Sequence, residues 1–348
     1  MKRLIADYRN LPARHCGSGA MRNLLYHYCG LDLDEAVAFG LGAGVECMYI
    51  ACDRFEPSVM VFGRTATLEV DCAASLGVDY REIPEPDDAH AWEAVKDEVA
   101  EGNPVMLTGD IFYLDYRDYK VRFPAHRFVL VGFDDESKTA YIADHINADP
   151  EACSYGAIAT SRNPPTGLST MNLWGKFHGT KAKRSLEAAC GIALKKAADQ
   201  MTGRDTTQAR LLSALAGEAP MDLAFGLVGL ARFADEVAAW REREDAPFLA
   251  SYTSKVIEKF GNGGGNFRKM YAEFLAWAQG VRPDLVSERV RVLAGRSAGG
   301  WTALSIILAD ASKNPDDKAV WSRAADQAAG ILAIETELFE TLADTTTG

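Results

Sequence analysis

Hydrophobic and polar positions follow two different patterns along this chain, and the first half mixes both. Apolar side chains recur at helical spacing over 16–28, which predicts a helix there. The segments that follow predict a surface helix over 91–102, a strand over 103–114 and a strand pair over 126–145 around the polar turn DDESK. We therefore expect mixed α and β structure in this half.

From about residue 182 the pattern becomes rich in Ala and Leu at helical spacing, with few strand-like runs. Such segments are typical of helices packed together. A chain of 348 residues is long for a single core, and the paired prolines in 161–172 favour a linker. The prediction is an α+β protein with domains at 1–165 and 182–348 joined by a linker at 166–181.

Composition narrows the class of partner. The formal net charge is −12, which argues against a general nucleic-acid binder or a protein that docks on anionic membranes. No apolar run has the length of a signal peptide or of a membrane span. The seven cysteines are odd in number and scattered, without a disulfide or zinc-site spacing. We expect reduced thiols in a cytoplasmic protein, with no metal and no cofactor.

Cys16 stands at the first turn of the predicted N-terminal helix, after His15 and before Gly17. Unpaired backbone N–H groups and the helix dipole stabilise a thiolate at such a position. The small residues that follow would let a substrate carbonyl approach, and the N–H groups there, such as that of Gly17, could hold an oxyanion. A small buried core cysteine is the structural alternative.

His126 opens the first strand of the predicted hairpin, and Asp144 ends the second. Residues equidistant from the turn face each other in an antiparallel pair, so we expect the two side chains to come within a residue or two of facing. The carboxylate would then orient the imidazole and stabilise its charged form. A thiol nucleophile needs such a base. Alternatively, the two residues merely occupy one end of a hairpin.

Several motifs carry a resemblance to a known family. The segments HCGSGAMRNLL, LDEAVAFGLGAG, PVMLTGDIFYL and AHRFVLVGFDDESKTAYIADH resemble the N-terminal domain of butirosin biosynthesis protein H, within the papain-like cysteine enzymes. The helical half, with FGNGGGNFRKMYAEFL, is similar to the uncharacterised domain that commonly follows it. The resemblance implies a papain-like domain with an antiparallel sheet, followed by an all-α domain that acts as a lid or binds the acceptor.

The founding member of that family moves an acyl group from an acyl carrier protein thioester to an amine. Carried over by position, the resemblance implies Cys16 as nucleophile, His126 as general base and acid, and Asp144 as the residue that orients the imidazole. Papain-like enzymes often place an oxyanion-binding glutamine six residues before the cysteine, and Asn10 occupies that position here. The implied partners are a carrier-protein or coenzyme A thioester and an amine acceptor.

Four residues are weaker candidates for substrate contacts. His15 is expected to point away from the thiol and to form a neighbouring wall, because adjacent residues at a helix start usually diverge. Glu35 could bind an amine or act as a solvated helix-cap carboxylate. Gly263 and Gly264 could touch a substrate, or they could form a turn between helices.

A dense basic cluster includes Lys181, Lys183 and Arg184, with Lys195 and Lys196 one or two turns later. Acyl carrier proteins are acidic, so this cluster could dock one, although charge clusters are commonly solvated faces. Two functional alternatives to acyl transfer stay open at this point. One is a cysteine peptidase or amidase using the same three residues, and the other is a non-enzymatic binding or scaffold protein.

Overall fold

The computed structural model describes residues 1–53, 56–165, 170–216 and 221–346, with the side chains of 213–216 left out. Its strands, numbered in chain order, are β1 (Lys2–Leu4), β2 (Val45–Ala51), β3 (Val59–Arg64), β4 (Tyr80–Ile83), β5 (Val105–Gly109), β6 (His126–Asp134), β7 (Thr139–Ala143), β8 (Glu151–Ser154), β9 (Trp174–Phe177) and β10 (Asp222–Phe225).

The helices are α1 (Cys16–Cys29), α2 (Glu35–Leu41), α3 (Leu68–Leu76), α4 (Asp88–Ala100), α5 (Tyr155–Arg162), α6 (Leu186–Met201), α7 (Thr207–Ala216), α8 (Gly226–Glu236), α9 (Ala246–Glu258), α10 (Arg268–Val281), α11 (Glu288–Ala311) and α12 (Lys318–Thr346). The chain forms two compact units, which comprise residues 1–38 with 77–183 and residues 39–76 with 184–348.

The first unit is organised around a seven-stranded antiparallel sheet in the order β4-β9-β5-β6-β7-β8, with β1 also paired to β6. The central strand β6 is buried along its whole length, as its apolar sequence requires. Its side chains pack with those of the neighbouring strands and of α4 in one hydrophobic core, which includes Val95, Val105, Leu107, Phe128, Leu130 and Ile142. This sheet is the platform that positions the candidate site.

Pairing of β6 with its neighbours fixes one candidate side chain at the end of the sheet. His126 is the first residue of β6 and lies opposite Gly109, the last residue of β5. A Cβ atom at Gly109 would lie 2.3 Å from Ser161 Oγ, so only glycine allows α5 to pack this closely. On its other side β6 forms a hairpin with β7, which ends at Ala143, directly before Asp144.

The second unit is helical around a small antiparallel sheet of order β10-β2-β3. A fully buried ion pair joins α10 to α12: Arg268 Nε and Nη2 donate to the Glu335 carboxylate at 2.8 and 2.9 Å. The same carboxylate accepts from Ser297 Oγ at 2.7 Å and from Trp301 Nε1 at 2.8 Å, both on α11. Every oxygen of the buried carboxylate is therefore hydrogen-bonded, as burial of a charge requires.

The α+β class, the antiparallel sheet in the N-terminal region and the helical C-terminal region are confirmed. Two details differ from the sequence-based picture. The helical part is not all-α, because β10 adds a strand to β2. Residues 39–76, expected within a domain at 1–165, belong to the helical unit because β2 pairs with β10 and α3 packs on α6. The first residues of the predicted linker at 166–181, which are 166–169, lie outside the described residues.

Among the described residues, α11 alone is long and apolar enough to cross a membrane by length and composition. Its Trp301, Leu304 and Leu308 are fully buried, and it packs against α9, α10 and α12. This is how the core helix of a globular protein packs.

Candidate active site

Cys16 is the first residue of α1, and the helix begins at an N-cap formed by His15. The His15 side chain accepts the Ser18 N–H at 3.2 Å, so it satisfies one of the N–H groups that the first turn leaves without an intrahelical partner. The Cys16 side chain is buried, with 5% of the residue exposed. It is nevertheless not enclosed by hydrocarbon, because both His126 and His15 are in hydrogen-bonding contact with its sulfur.

His126 and Asp144 meet behind the thiol. The Nε2 atom of His126 lies 3.1 Å from Asp144 Oδ1, and both side chains are buried. Because Nε2 is engaged with the carboxylate, Nδ1 is the ring nitrogen that remains for the Cys16 sulfur. The structure thus brings together Cys16, His126 and Asp144, the three residues expected to carry the chemistry. Their catalytic roles stay a prediction.

The charges of the three groups stabilise one another. Burial alone raises the pKa of a thiol, but the charge of His126 and the hydrogen bonds from His126 and His15 outweigh it and hold the pKa of Cys16 well below its usual range. Burial opposes a charged ring, yet Asp144 and Cys16 raise the pKa of His126 to about 10. Burial likewise opposes a charged carboxylate, yet His126 and His145 hold the pKa of Asp144 well below its usual range. The site is a thiolate and an imidazolium backed by a carboxylate.

Five donors surround the Asp144 carboxylate. Besides His126, the backbone N–H and Nδ1 of His145 lie 2.7 and 2.8 Å from Oδ1. Tyr116 donates to Oδ2 at 2.9 Å, and Tyr119 lies 3.4 Å from the same oxygen. A continued strand would place the His145 side chain on the opposite face of the sheet, but β7 ends at Ala143, so this side chain turns back to Asp144. These donors fix the carboxylate in its ionised form.

Glu35 holds the segment in front of α1. Its carboxylate accepts the backbone N–H groups of Arg14 at 3.0 Å and of His15 at 2.8 Å, together with the Ser18 hydroxyl at 3.2 Å. Glu35 is buried rather than solvated. Internal donors occupy its oxygens, so the structure gives Glu35 a positioning role and favours neither the solvated helix cap nor the contact with an amine that the sequence left open.

His15 does not point away from the thiol as the sequence led us to expect. Its ring contacts the Cys16 sulfur, and its Nδ1 lies 3.0 Å from Ser18 Oγ, which donates to Glu35. The sequence offered no orienting carboxylate near His15, because Glu35 lies 20 positions later in the chain. His15 is therefore part of the site.

Asn10 was expected to contribute to an oxyanion hole, but the structure gives its amide other partners. Its Nδ2 donates to the carbonyl oxygens of Asp144 at 2.7 Å and of Asn147 at 2.6 Å. Its Oδ1 accepts from Asn23 Nδ2 at 2.8 Å. Asn10 therefore ties the segment before α1 to the loop that carries Asp144. Gly17 is the second residue of α1, and its part in an oxyanion hole stays a prediction.

Gly263 and Gly264 lie in the second unit, in the turn between α9 and α10, where both have positive φ angles of 71° and 87°. The Gly264 N–H donates to Asn262 Oδ1 at 2.7 Å, and the Gly265 N–H donates to Glu258 Oε2 at 3.0 Å. The turn uses these amides internally, which favours the turn over the substrate contact.

Most of the basic cluster is engaged within the fold. Arg184 donates to the carbonyl oxygens of Ala74 and Ser75 at the end of α3. Lys195 and Lys196 form ion pairs at 2.6 and 2.7 Å with Asp199 and Asp71. Lys181 and Lys183 are exposed. The cluster is thus a weaker docking surface than its sequence indicates.

Within the described residues, His126, Asp144 and His145 also place three ligand atoms within 4.8 Å of one another, as a metal site would. The hydrogen bonds from both imidazoles to Asp144 Oδ1 account for that proximity. The expectation that the site uses no metal and no cofactor stays a prediction.

Sequence reasoning missed the tyrosines on Asp144 and the Ser18–Glu35 support of His15. Tyr116 and Tyr119 lie in an irregular loop between β5 and β6, where no periodicity indicates which side chains turn inward. The sequence HCGS did contain one usable signal, since Ser18 stands three residues after His15, the spacing at which an N-cap side chain meets a backbone N–H.

Two family models match the chain, one over each part of the sequence. Residues 15–145 match the family described as butirosin biosynthesis protein H, N-terminal, and residues 161–342 match the domain of unknown function DUF4872. No curated protein matches the chain. The first match spans all three residues of the thiol site and suggests an enzyme of biosynthesis. The chain belongs to the family in which an N-terminal domain of the butirosin biosynthesis protein H type is followed by DUF4872.

Proposed function

We propose that this protein is a cysteine-dependent acyltransferase, which moves an acyl group from a thioester of a carrier protein or coenzyme A to an amine in a biosynthetic pathway. The observation that carries the proposal is the buried thiolate of Cys16 at the start of α1, paired with His126 and backed by Asp144. A thiolate is the nucleophilic form of cysteine, and only a few per cent of an ordinary thiol is ionised at neutral pH.

In the first step the Cys16 sulfur adds to the thioester carbonyl, and the bond from that carbon to the donor sulfur then breaks. The imidazolium of His126 gives its proton to the departing thiolate, which leaves as a thiol. Exchange of one thioester for another is nearly balanced in energy, so this step needs little driving force.

In the second step the neutral His126 accepts a proton from the incoming amine as its nitrogen adds to the acyl carbon. The bond to Cys16 breaks, which restores the thiolate and the imidazolium. The net change converts a thioester and an amine to an amide and a thiol. Formation of the amide supplies the driving force. The burial of Cys16 and His126 limits the water that would compete with the amine.

We expect the donor to be an acyl carrier protein or coenzyme A. Lys181 and Lys183 are exposed, whereas the other basic residues of the cluster bond within the fold, so these two lysines are the ones available to an acidic carrier. All seven cysteines are unpaired, which is in keeping with a cytoplasmic protein. Charge reversal at Lys181 and Lys183 should slow transfer from a carrier protein more at low salt than at high salt, whereas transfer from coenzyme A thioesters should change little.

Intact-mass spectrometry tests the proposal directly. The protein is incubated with acyl-coenzyme A or acyl carrier protein thioesters, with and without a panel of amines, and Cys16→Ala serves as the control. We expect an adduct of one acyl group on the wild-type chain, discharged by an amine as an amide forms. Discharge by water alone would favour a peptidase or amidase, and wild-type product formation by Cys16→Ala would exclude the covalent route.

A further inference from the structure

Acyl transfer by Cys16 needs donors for the carbonyl oxygen, because that oxygen becomes negatively charged when the sulfur adds to its carbon. The first turn of α1 can supply backbone N–H groups, as those of Cys16 and Gly17 have no acceptor within their own helix. Papain-like sites commonly add a side-chain donor. Asn10 has no amide proton to spare, since both are directed at the carbonyl oxygens of Asp144 and Asn147. A side-chain donor to the carbonyl oxygen therefore has to come from another residue.

His15 has a donor in the right chemical form. Its Nδ1 accepts the Ser18 N–H at 3.2 Å, and a nitrogen that accepts an N–H carries a lone pair rather than a proton. The ring proton is therefore on Nε2. Since Nδ1 is directed at Ser18, we assign the hydrogen bond between the ring and the Cys16 sulfur to Nε2.

His15 is also held firmly in place. Glu35 accepts its backbone N–H at 2.8 Å and the Ser18 hydroxyl at 3.2 Å, so one buried carboxylate fixes both the backbone of the N-cap and the residue that orients the ring. His15 itself is 3% exposed. A fixed donor in a buried site stabilises a developing charge far more than a mobile donor in water does.

We infer that His15 donates its Nε2–H to the oxyanion formed when Cys16 attacks a carbonyl, and so takes the place that glutamine holds in related sites. The inference rests on the acyl-transfer function proposed above. The oxygen of the tetrahedral intermediate is two bonds from the sulfur, so a donor in contact with the sulfur needs only a small shift to reach it. The N–H groups of Cys16 and Gly17 approach the same oxygen from the helix end.

The step balances without a proton leaving His15. As the new bond to sulfur forms, the π electron pair of the carbonyl moves to its oxygen. The Nε2–H of His15 then donates to that oxygen instead of to the sulfur. On collapse the pair returns to the carbonyl, the donor thiolate leaves, and His126 protonates it. His15 thus differs from His126, whose proton is transferred in each half-reaction.

Two reactions of the same sulfur test the inference. Alkylation by iodoacetamide proceeds by direct displacement and forms no oxyanion, whereas acylation by acetyl-coenzyme A or by p-nitrophenyl acetate does form one. The second-order rate constants are measured for the wild type, His15→Phe and His15→Gln. Their ratio, acylation over alkylation, cancels any change in the thiolate fraction.

We expect His15→Phe to lower this ratio by about 10²- to 10³-fold, the usual loss for one oxyanion donor. His15→Gln, which retains an N–H donor, should recover much of that loss. Continued alkylation shows that the site is folded in each variant. An unchanged ratio in His15→Phe, or a ratio in His15→Gln as low as in His15→Phe, would overturn the inference.

The two acyl donors separate this inference from the proposed function. If p-nitrophenyl acetate acylates the wild type but thioesters of coenzyme A and of carrier proteins do not, the proposed donor class is wrong. The ratio with p-nitrophenyl acetate still decides the role of His15. If the wild-type thiol is alkylated but accepts an acyl group from neither donor, both are overturned.

Discussion

The Nε2 atom of His126 lies 3.1 Å from Asp144 Oδ1, with both side chains buried. The two residues are 18 positions apart, on either side of the β6–β7 hairpin. This contact settles which nitrogen of the ring faces Cys16, and it keeps a positive charge beside the sulfur. The reactivity of the thiol should therefore depend on a carboxylate that never touches it.

Replacing Asp144 by Asn should raise the pH at which Cys16 becomes reactive. Asp144 is a main cause of the high pKa of His126, about 10, and the charged ring in turn lowers the pKa of Cys16. Without the carboxylate the pair is less often charged, so the midpoint of the alkylation rate against pH should move up toward the ordinary thiol value of about 8.5.

The rate of alkylation of Cys16 by iodoacetamide, measured between pH 4 and pH 10, would give this shift. Asp134→Asn is the matched control, since Asp134 ends β6 of the same hairpin and pairs with the exposed Lys2. Its profile should follow that of the wild type. A profile for Asp144→Asn that also coincided with the wild type would show that the carboxylate does not set the charge of the pair.

Only Cys16 of the seven cysteines should react with iodoacetamide at pH 6. Burial raises the pKa of Cys29, which is partly exposed, and burial raises the pKa of Cys190 to about 12. Burial raises the pKa of Cys47, Cys72 and Cys153 still more, and the remaining thiol, Cys52, is buried. Peptide mapping after limited labelling should find the label on Cys16, and Cys16→Ser should stay unlabelled. Preferential labelling of the more exposed Cys29 would contradict the low pKa of Cys16.

Gly19→Ala should disturb the site from within α1. A Cβ atom at Gly19 would lie 2.4 Å from the Cβ of Ala13, whose N–H donates to the His145 carbonyl at 2.7 Å. The segment before α1 would have to shift, and we expect a loss of about 1–3 kcal/mol in the free energy of unfolding together with slower alkylation of Cys16.

Gly156→Ala is the control for that substitution. Gly156 is in α5 of the same unit, and a Cβ there meets nothing within 4 Å. Alanine should be neutral or should stabilise the helix by up to about 1 kcal/mol. Urea unfolding and the alkylation rate, measured for both variants, compare the two sites. If Gly19→Ala and Gly156→Ala had equal effects on the free energy of unfolding and on the alkylation rate, the packing of Ala13 on α1 would tolerate the extra methyl group.

Glu335→Gln should destabilise the helical unit in a pH-dependent way. Burial raises the pKa of a carboxyl, but Arg268 outweighs burial and holds the pKa of Glu335 below its usual range. A lowered native pKa adds stability above the unfolded value of about 4.3, and that stability is lost as the pH falls through the native pKa. We expect a loss of about 3–5 kcal/mol at pH 7, when Arg268 is left without its partner.

The difference between the wild type and Glu335→Gln should narrow below about pH 4, where the wild-type carboxyl also becomes protonated. Glu337→Gln is the matched control, since Glu337 lies on the same helix and pairs with the exposed Arg289 at 2.6 Å. That change should cost at most about 1 kcal/mol. Urea unfolding at pH 7 and at about pH 3 tests both, and a loss in Glu335→Gln that is equal at the two pH values would argue against a native carboxylate.

The class of the fold and the elements that carry the three chemical residues could be predicted, because they rest on local patterns. The helix at Cys16 has apolar spacing and a following Gly30, and the hairpin of His126 and Asp144 has a polar turn between two apolar strands. Which elements pair or pack with one another could not be predicted in this way. Pairing of β10 with β2 joins residues more than 170 positions apart, and no periodicity encodes that choice.

The same limit applied within the site. The position of Asn10, six residues before Cys16, indicated an oxyanion role, but its actual partners are backbone carbonyls around residues 144–147. The expected direction of the His15 side chain rested on its adjacency to Cys16 in the sequence. In the structure Glu35 fixes the position of His15, directly through the His15 backbone N–H and indirectly through Ser18. Long-range hydrogen bonds of this kind depend on the folded path of the chain and leave no spacing rule in the sequence.

The pairing of β10 with β2 has a consequence for how the chain acquires its structure during synthesis. The β2–β3 hairpin leaves the ribosome early, yet the strand that completes its sheet, at 222–225, and most helices of its unit are made much later. Until then one edge of β2 stays open to pairing with other chains. A fragment cut at the linker would keep that edge permanently bare, so separating the two halves at residue 165 should yield aggregation-prone pieces rather than two independent proteins.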